Sequence, residues 1–285
     1  MVYAGLAYAA FAAAALWAIA FLADLSTRHA VDGPSRRPVW TALLIDACLL
    51  LVFAVQHSVM ARAGFKQRLA RILPAATERS TYVLAASLAL GLLFWQWQPL
   101  PASAWHVSAQ PWAALIWVVY AAGWLLVVAA TFMIDHLDFL GLRQAYAHTR
   151  QRPYQPPSFT ERWLYAWVRH PMMLGLIIAF WATPAMTAGH LLFAAAGSAY
   201  IVVGLKFEER DLTRHLGPAY RDYARRVPAL IPRHIPSWPG ETGRQPAGTP
   251  DHHGDIGGHQ SRLVAMHGEN RQRQSDRLDA PGRQT

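Results

Sequence analysis

Apolar runs of bilayer-spanning length dominate this chain, and no other feature restricts its fold as sharply. A transmembrane helix needs roughly 20 mostly apolar residues. The first such run, YAGLAYAAFAAAALWAIAFLA at residues 3–23, has no Lys or Arg before it. It lacks the positive leader of a cleaved signal peptide and reads as a retained helix. Further runs cover residues 39–60, 81–97 and 112–134. From residue 172 to 207 the apolar character continues too long for one straight span, because a helix rises about 1.5 Å per residue and the hydrocarbon core is about 30 Å thick. ATPAMTAGH interrupts that stretch. Pro184 removes a helix donor and Gly189 permits a tight turn, so a helical hairpin is predicted with arms at 172–183 and 190–207. The first arm is short for a crossing, and LYAWV upstream is the extension available to it. The expected fold is all-α: a polytopic membrane bundle of about six transmembrane helices, followed by a cytoplasmic helical extension.

Composition agrees. Hydrophobic residues make up 53% of the 285 and charged residues 15%, against about 25% charged in soluble domains. Residues 1–234 are expected to form the membrane-embedded domain. Residues 235–285 are polar, rich in Gly and Pro, and expected to be a disordered tail. The net charge of +9 would suit a nucleic-acid partner, but the cations sit in short segments between apolar runs, as the positive-inside rule requires. No nucleic acid is expected, and no protein partner is predicted. The single cysteine, Cys48, lies inside an apolar run. A disulfide framework and a Cys-based zinc site are both out of reach, and its expected role is packing.

Loop charge gives orientation. Arg62, Lys66, Arg68, Arg71 and Arg79 follow the second helix, and Arg143, Arg150, Arg152, Arg162 and Arg169 follow the fourth. Both segments are expected in the cytoplasm. QPLPASAWHVSAQP and TPAMTAGH contain no Lys or Arg and belong on the opposite side. The loop at 26–37 must join them there although it carries Arg28, Arg36 and Arg37. With six spans, both chain ends are cytoplasmic, in a bacterial inner membrane.

WVRHPMMLG, residues 167–175, puts Arg169 and His170 at the mouth of the hairpin's first arm. Pro171 suits the first turn of a helix, where a missing N–H costs little. Two side-chain donors beside unpaired backbone donors favour a carboxylate or a phosphate. An arginine snorkelling to lipid headgroups is the plainer use of the same pattern. At the hairpin's far end, FEERDLTRHLGPAYRDYARRVP carries Glu208 and Glu209, with Asp211 three residues from both Glu208 and Arg214. Tyr220, Tyr223 and Arg226 recur every three residues and are expected on one helix face; an amphipathic interfacial helix would look the same. Because one hairpin separates the two clusters, both reach the same membrane surface. Ionisable groups gathered there are a functional-site hypothesis by default.

Gln56 and His57, near the cytoplasmic end of the second helix, either line a polar pocket or pack with a hydrogen bond. Asp135, His136 and Asp138 superficially offer metal ligands, but their spacing fits caps and interfacial pairs better. No metal is expected, and His252, His253 and His259 in the tail are too sparse to argue for one. No G-x-G-x-x-G follows a strand pattern, and P-loop and G-x-S-x-G motifs are absent. Any cofactor must be held by the helices and their extensions.

RHPMMLG followed by EERDLTRHLGPAYRDYARRVP resembles the paired signature of the isoprenylcysteine carboxyl methyltransferase superfamily, whose members are membrane enzymes using S-adenosylmethionine. The correspondence falls on Arg169, His170, Pro171, Gly175, Glu208, Glu209, Leu212, Gly217, Tyr220, Tyr223, Val227 and Pro228. Met173 stands where the family pattern has Tyr, and Leu216 where it has Phe. LLVFAVQHSVMAR, ERSTYVLAASL, LLFWQWQP, DHLDFLGLRQ and IAFWATPAMTAGHLLFA are similar to one branch, the bacterial methanethiol S-methyltransferases, which form dimethyl sulfide. The resemblance covers roughly residues 20–232.

It implies that Arg169 and His170 take the cofactor's carboxylate and that Glu208 or Glu209 faces its ammonium and sulfonium. Pro171, Gly175, Tyr220 and Tyr223 complete the expected binding set. Methyl transfer is a one-step displacement, so positioning and the charge of the nucleophile matter most. Thiol pKa values near 8.5 or above leave a minority of thiolate at neutral pH, which Arg169 or Arg226 would raise. Glu209, His57 and Tyr223 are candidates for the proton. Met173, Trp181 and His57 are the expected lining of a narrow substrate pocket, although core packing accounts equally for the first two. Another small thiol or a lipid-linked group is an alternative substrate. A non-catalytic membrane protein, similar to denitrification-linked relatives, is the alternative class.

Overall fold

The computed structural model describes residues 1–25, 29–155, 161 and 163–232, all within one compact unit, Met1–Pro236. The polar segment 235–285 lies outside the described residues. In chain order the structure contains α1 (Val2–Leu22), α2 (Val39–Ala61), the short α3 (Ala63–Leu69), α4 (Ala75–Gln96), strand β1 (Ser103–His106) and α5 (Gln110–Ile134). The short α6 (His136–Phe139) and α7 (Leu142–Thr149) follow, then α8 (Pro171–Trp181), strand β2 (Ala185–Thr187), α9 (Ala188–Leu216) and α10 (Pro218–Arg226).

This is an all-α bundle. Four helices, α1, α2, α5 and α9, are long and apolar enough to cross a membrane. The first two turns of α4 carry Glu78 and Arg79, so its apolar part starts only near Thr81. The helices are apolar on their outer faces as well as their inner ones: Leu16 and Leu125 are each 68% exposed. Such all-round hydrophobicity belongs to helices whose solvent is lipid. Cys48, expected to pack inside, is exposed. Its helix α2 buries only Ala42 and Asp46, so it stands at the rim of the bundle and Cys48 points outward.

The core gathers where α1, α4 and α9 meet, around Phe21, Phe94, Trp97 and Phe193. Asp46, fully buried, accepts a hydrogen bond from the Gln98 amide at 2.9 Å and so fixes the chain leaving α4. Backbones approach most closely between α5 and α8. A Cβ on Gly175 would lie 2.6 Å from the Gly123 carbonyl oxygen, and one on Gly123 would lie 2.9 Å from that of Gly175. Small residues permit this contact, as in other membrane helix pairs.

The two loops without Lys or Arg do share one end. β1 and β2 pair antiparallel, with Ser103 opposite Thr187 and His106 opposite Ala185. The loop after α1 joins them: Thr187 donates to the Asp32 carboxylate and the Val31 amide donates to the Phe21 carbonyl.

The hairpin differs from expectation in its first arm. No helix continues upstream through LYAWV. Residues Trp163–Ala166 form a separate 3-10 turn, and His170 adopts φ −126°, ψ 65° before Pro171, because a residue preceding proline is pushed out of the helical region. The crossing is completed downstream instead. α8 has 11 residues, about 16 Å of helix. Its last residue, Trp181, donates to the Ser198 hydroxyl at 2.9 Å, about 15 Å along α9 from that helix's start. Residues 182–187 cover the remaining depth as irregular chain and strand. Non-helical backbone at such depth is stable only if its polar groups are satisfied by protein. Trp105 Nε1 donates to the Thr183 carbonyl at 3.1 Å, and His190 Nε2 pairs with the Phe180 carbonyl at 3.0 Å.

Candidate active site

At the charged end of the bundle the mouth of α8, the end of α9 and α10 converge on one carboxylate. Arg169 Nε donates to Glu209 Oε1 and Nη2 to Oε2, both at 2.9 Å. His170 Nε2 lies 2.6 Å from Oε1, and the Tyr220 hydroxyl donates to the same oxygen at 2.9 Å. Arg169 Nη1 donates to the carbonyls of Ala224 at 2.9 Å and Val227 at 2.5 Å. All three guanidinium nitrogens are therefore engaged, and Glu209 Oε1 accepts from three side chains while Oε2 accepts from Arg169. Backbone bonds close the same seam: the amides of Arg169 and His170 donate to the carbonyls of Pro228 and Ala229 at 2.9 and 3.1 Å. The Val-Pro ending of the second cluster thus docks beside the Arg-His-Pro of the first.

Glu208 takes no part in this lock. Its side chain is 47% exposed and lies 3.7 Å from His170 Nδ1. Beside it α8 begins with Pro171 in its first turn and no side-chain cap from His170, so the amides of Met172 and Met173 keep their donors. Met173 is half-buried in that turn. Beneath the lock, Tyr220 and Tyr223 are buried side by side with ring centroids 5.9 Å apart. Burial first, and the Glu209 carboxylate next, hold the Tyr220 phenol above its ordinary range, so it remains a donor. Burial also raises Tyr223, whose hydroxyl donates to the Tyr165 carbonyl at 2.6 Å.

Arg226 does not share the tyrosine face. At about 100° per residue, three positions fall 60° short of a turn and six fall 120° short. Arg226 comes round to the surface, 62% exposed, and pairs with Glu161 at 2.8 Å. Gly175 lies against α5. Trp181 is at the opposite end of α8 from Arg169.

His57 belongs to a second polar group inside the bundle. Its Nε2 lies 2.6 Å from the Tyr82 hydroxyl and its Nδ1 lies 2.9 Å from that of Tyr200, which also meets Ser58 Oγ at 3.1 Å. The two tyrosines come from α4 and α9 and were missed in the sequence. Their one signal was a polar tip inside an otherwise apolar run. Asp135 caps α6 by accepting from the Asp138 amide at 3.1 Å and pairs with Arg143. His136 contacts the Tyr8 hydroxyl at 3.2 Å. Among the described residues no three His, Cys, Asp or Glu side chains gather in a metal-holding group.

Known proteins resemble this chain over most of its length. A family model described as NnrU protein matches residues 44–207. The methanethiol S-methyltransferase of Mycobacterium tuberculosis is 48% identical over 239 residues, covering 84% of this chain and 96% of that protein. Methanethiol S-methyltransferase 2 of Bradyrhizobium diazoefficiens is 50% identical over 233 residues, covering 82% and 90%. Nurim of Rattus norvegicus is 31% identical over 184 residues, covering 62% and 70%. No solved structure matches the chain.

Proposed function

The chain belongs to the family of the methanethiol S-methyltransferases, and we propose that it is itself a membrane-embedded S-methyltransferase converting methanethiol to dimethyl sulfide. S-adenosylmethionine, when bound, supplies the methyl group from its sulfonium. The observation that carries the reading at residue level is the lock on Glu209, which assembles both signature clusters at one surface and leaves Glu208 free beside it.

The available groups fit that cofactor selectively. Glu208, exposed and weakly engaged, suits an ammonium or sulfonium. The uncapped first turn of α8 suits a carboxylate. Arg169 commits four of its five N–H donors to Glu209, Ala224 and Val227, so it serves chiefly as a positioning residue: it holds Glu209, which holds His170 and Tyr220. His170 presents Nδ1 toward Glu208 while Nε2 is tied down. Met173 lies at the same mouth and offers an apolar contact to a small thiol. Glu209, committed to Arg169, His170 and Tyr220, is a poor acceptor for a thiol proton; the exposed Glu208 is better placed.

The charged end faces the cytosol on this reading, since it holds Lys66, Arg79, Arg143 and Arg152. A water-soluble cofactor then enters from that side while methanethiol arrives through lipid. Two measurements test the proposal. Purified protein is titrated calorimetrically with S-adenosylhomocysteine, and membranes given methanethiol and S-adenosylmethionine are assayed by headspace gas chromatography. Saturable binding with dimethyl sulfide formation is expected. Absence of binding would reject the enzyme reading, and methylation of a longer thiol in place of methanethiol would reject the substrate.

A further inference from the structure

A cleft of about 560 Å³ opens at the charged end between α3, the start of α4 and the segment from α6 to Tyr154. It shares no lining residue with the lock on Glu209. Arg79 and Arg152 line it without a carboxylate partner within ion-pair distance among the described residues. Arg79 is held in place, with Nε donating to the Phe139 carbonyl at 2.7 Å and its guanidinium 5.0 Å from that residue's ring centroid. Lys66 stands nearby, 3.6 Å from Glu78. The first turn of α4, also in the lining, has no side-chain cap, so the amides of Ala75 and Ala76 keep their donors, while that of Thr77 donates to the Pro74 carbonyl at 2.9 Å. The lining thus offers an anion both side-chain and backbone donors.

The same lining also holds acceptors. Asp138 receives the Tyr154 hydroxyl at 2.7 Å and Gln144 Nε2 at 3.2 Å. That arrangement turns Gln144 Oε1 away, buried and without a hydrogen-bond partner among the described residues. A buried acceptor of this kind calls for a donor. The ligand that satisfies both the cations and this acceptor carries an anionic group and a hydroxyl, which is the chemistry of a glycerol phosphate.

Its source follows from depth. The last residue of the apolar α5 lines the cleft, so the floor sits where a bilayer's headgroups begin. The flanking side chains Ile72 and Leu137 are 81% and 51% exposed and apolar. We infer that this cleft is a headgroup site for an anionic glycerophospholipid, with phosphate at Arg79, Arg152 and the start of α4, and glycerol hydroxyl at Gln144. Basic pockets between transmembrane helices bind lipid headgroups in this way.

The test uses the full chain in nanodiscs of phosphatidylcholine with and without phosphatidylglycerol, read by thermal unfolding and by native mass spectrometry of retained lipid. Phosphatidylglycerol is expected to raise the unfolding temperature and to be retained, and soluble glycerol 1-phosphate is expected to bind much more weakly. Arg152→Ala, an exposed position, should lower the lipid affinity roughly tenfold, the loss of one charged hydrogen bond; Lys66→Ala should lower it less. Equal behaviour of the two lipids, or unchanged affinity in both variants, overturns the inference. Glycerol 1-phosphate binding as tightly as the lipid overturns the membrane source. Displacement of the lipid by S-adenosylhomocysteine would give the cleft to the cofactor and overturn it as well.

Discussion

Arg169 meets Glu209 side-on, with two parallel hydrogen bonds of 2.9 Å, and this fork fastens the mouth of α8 to α9. The pair is mostly shielded, at 11% and 24% side-chain exposure. Arg169→Ala strands a carboxylate and frees two carbonyls, so a loss of about 3 kcal/mol in stability is expected, the low end for a broken buried pair. Arg169→Lys recovers little of it, because an ammonium cannot reproduce the fork. Thermal unfolding in detergent reads both; a fully stable alanine variant would remove the lock from the fold's supports.

Glu208 should behave in the opposite way. Glu208→Gln keeps size and shape and breaks no short bond. Stability is expected to stay within about 0.5 kcal/mol, while affinity for S-adenosylhomocysteine falls about tenfold or more. Isothermal titration of the folded variant decides, and wild-type affinity would exclude Glu208 from the cofactor.

Gly175→Ala places a Cβ 2.6 Å from backbone oxygen on α5, where nothing flexible can yield. A destabilisation of about 1–3 kcal/mol is expected. Gly5→Ala is the control, since a Cβ there meets nothing within 4 Å. Equal unfolding temperatures for the two variants would contradict the close helix crossing.

Trp181→Phe should leave the KM for methanethiol unchanged, because that residue sits about 15 Å along α8 from the lock. Met173→Ala, at the mouth, should raise it. The reverse order in the headspace assay would move the thiol pocket to the hairpin's turn.

Asp24, just past α1, has its carboxyl raised to about 6, chiefly by burial and then by Asp32, with His190 acting against the rise. A folded-state value above the unfolded one means the folded chain holds the proton longer. Stability is therefore expected to fall as pH climbs from about 4 to about 6. Asp24→Asn should flatten that part of the unfolding profile, and Asn suits the φ of 56° found there. An unchanged profile would clear Asp24 of the effect.

Of about six spans expected, the four at α1, α2, α5 and α9 among the described residues were legible because their apolar runs are long enough to cross a membrane, and the lock because both halves of its motif are short and local. What escaped depends on direction or on distance along the chain. Hydropathy cannot separate a lipid-facing side from a core-facing one when both are apolar, so Cys48 was placed inward although it faces out. Spacing alone put Arg226 with the tyrosines, and the angular drift of the helix took it away. The β1–β2 pair joins segments of four and three residues, too short to show a period. Tyr82 and Tyr200 reach His57 from helices 25 and 143 residues away in sequence, a distance that no local pattern encodes.

The shortness of α8 has a bearing on how the protein is made. Eleven residues are too few to partition into a bilayer as an independent unit during synthesis, and the irregular chain beyond them would enter lipid with bare carbonyls. The His190 ring and the Trp105 indole that meet the Phe180 and Thr183 carbonyls belong to other segments, as does the Ser198 hydroxyl that accepts from Trp181. α8 therefore takes its seat with α5 and α9 in place, so the charged end is completed last, and a stalled or truncated chain ending before α9 would display spans without the lock on Glu209.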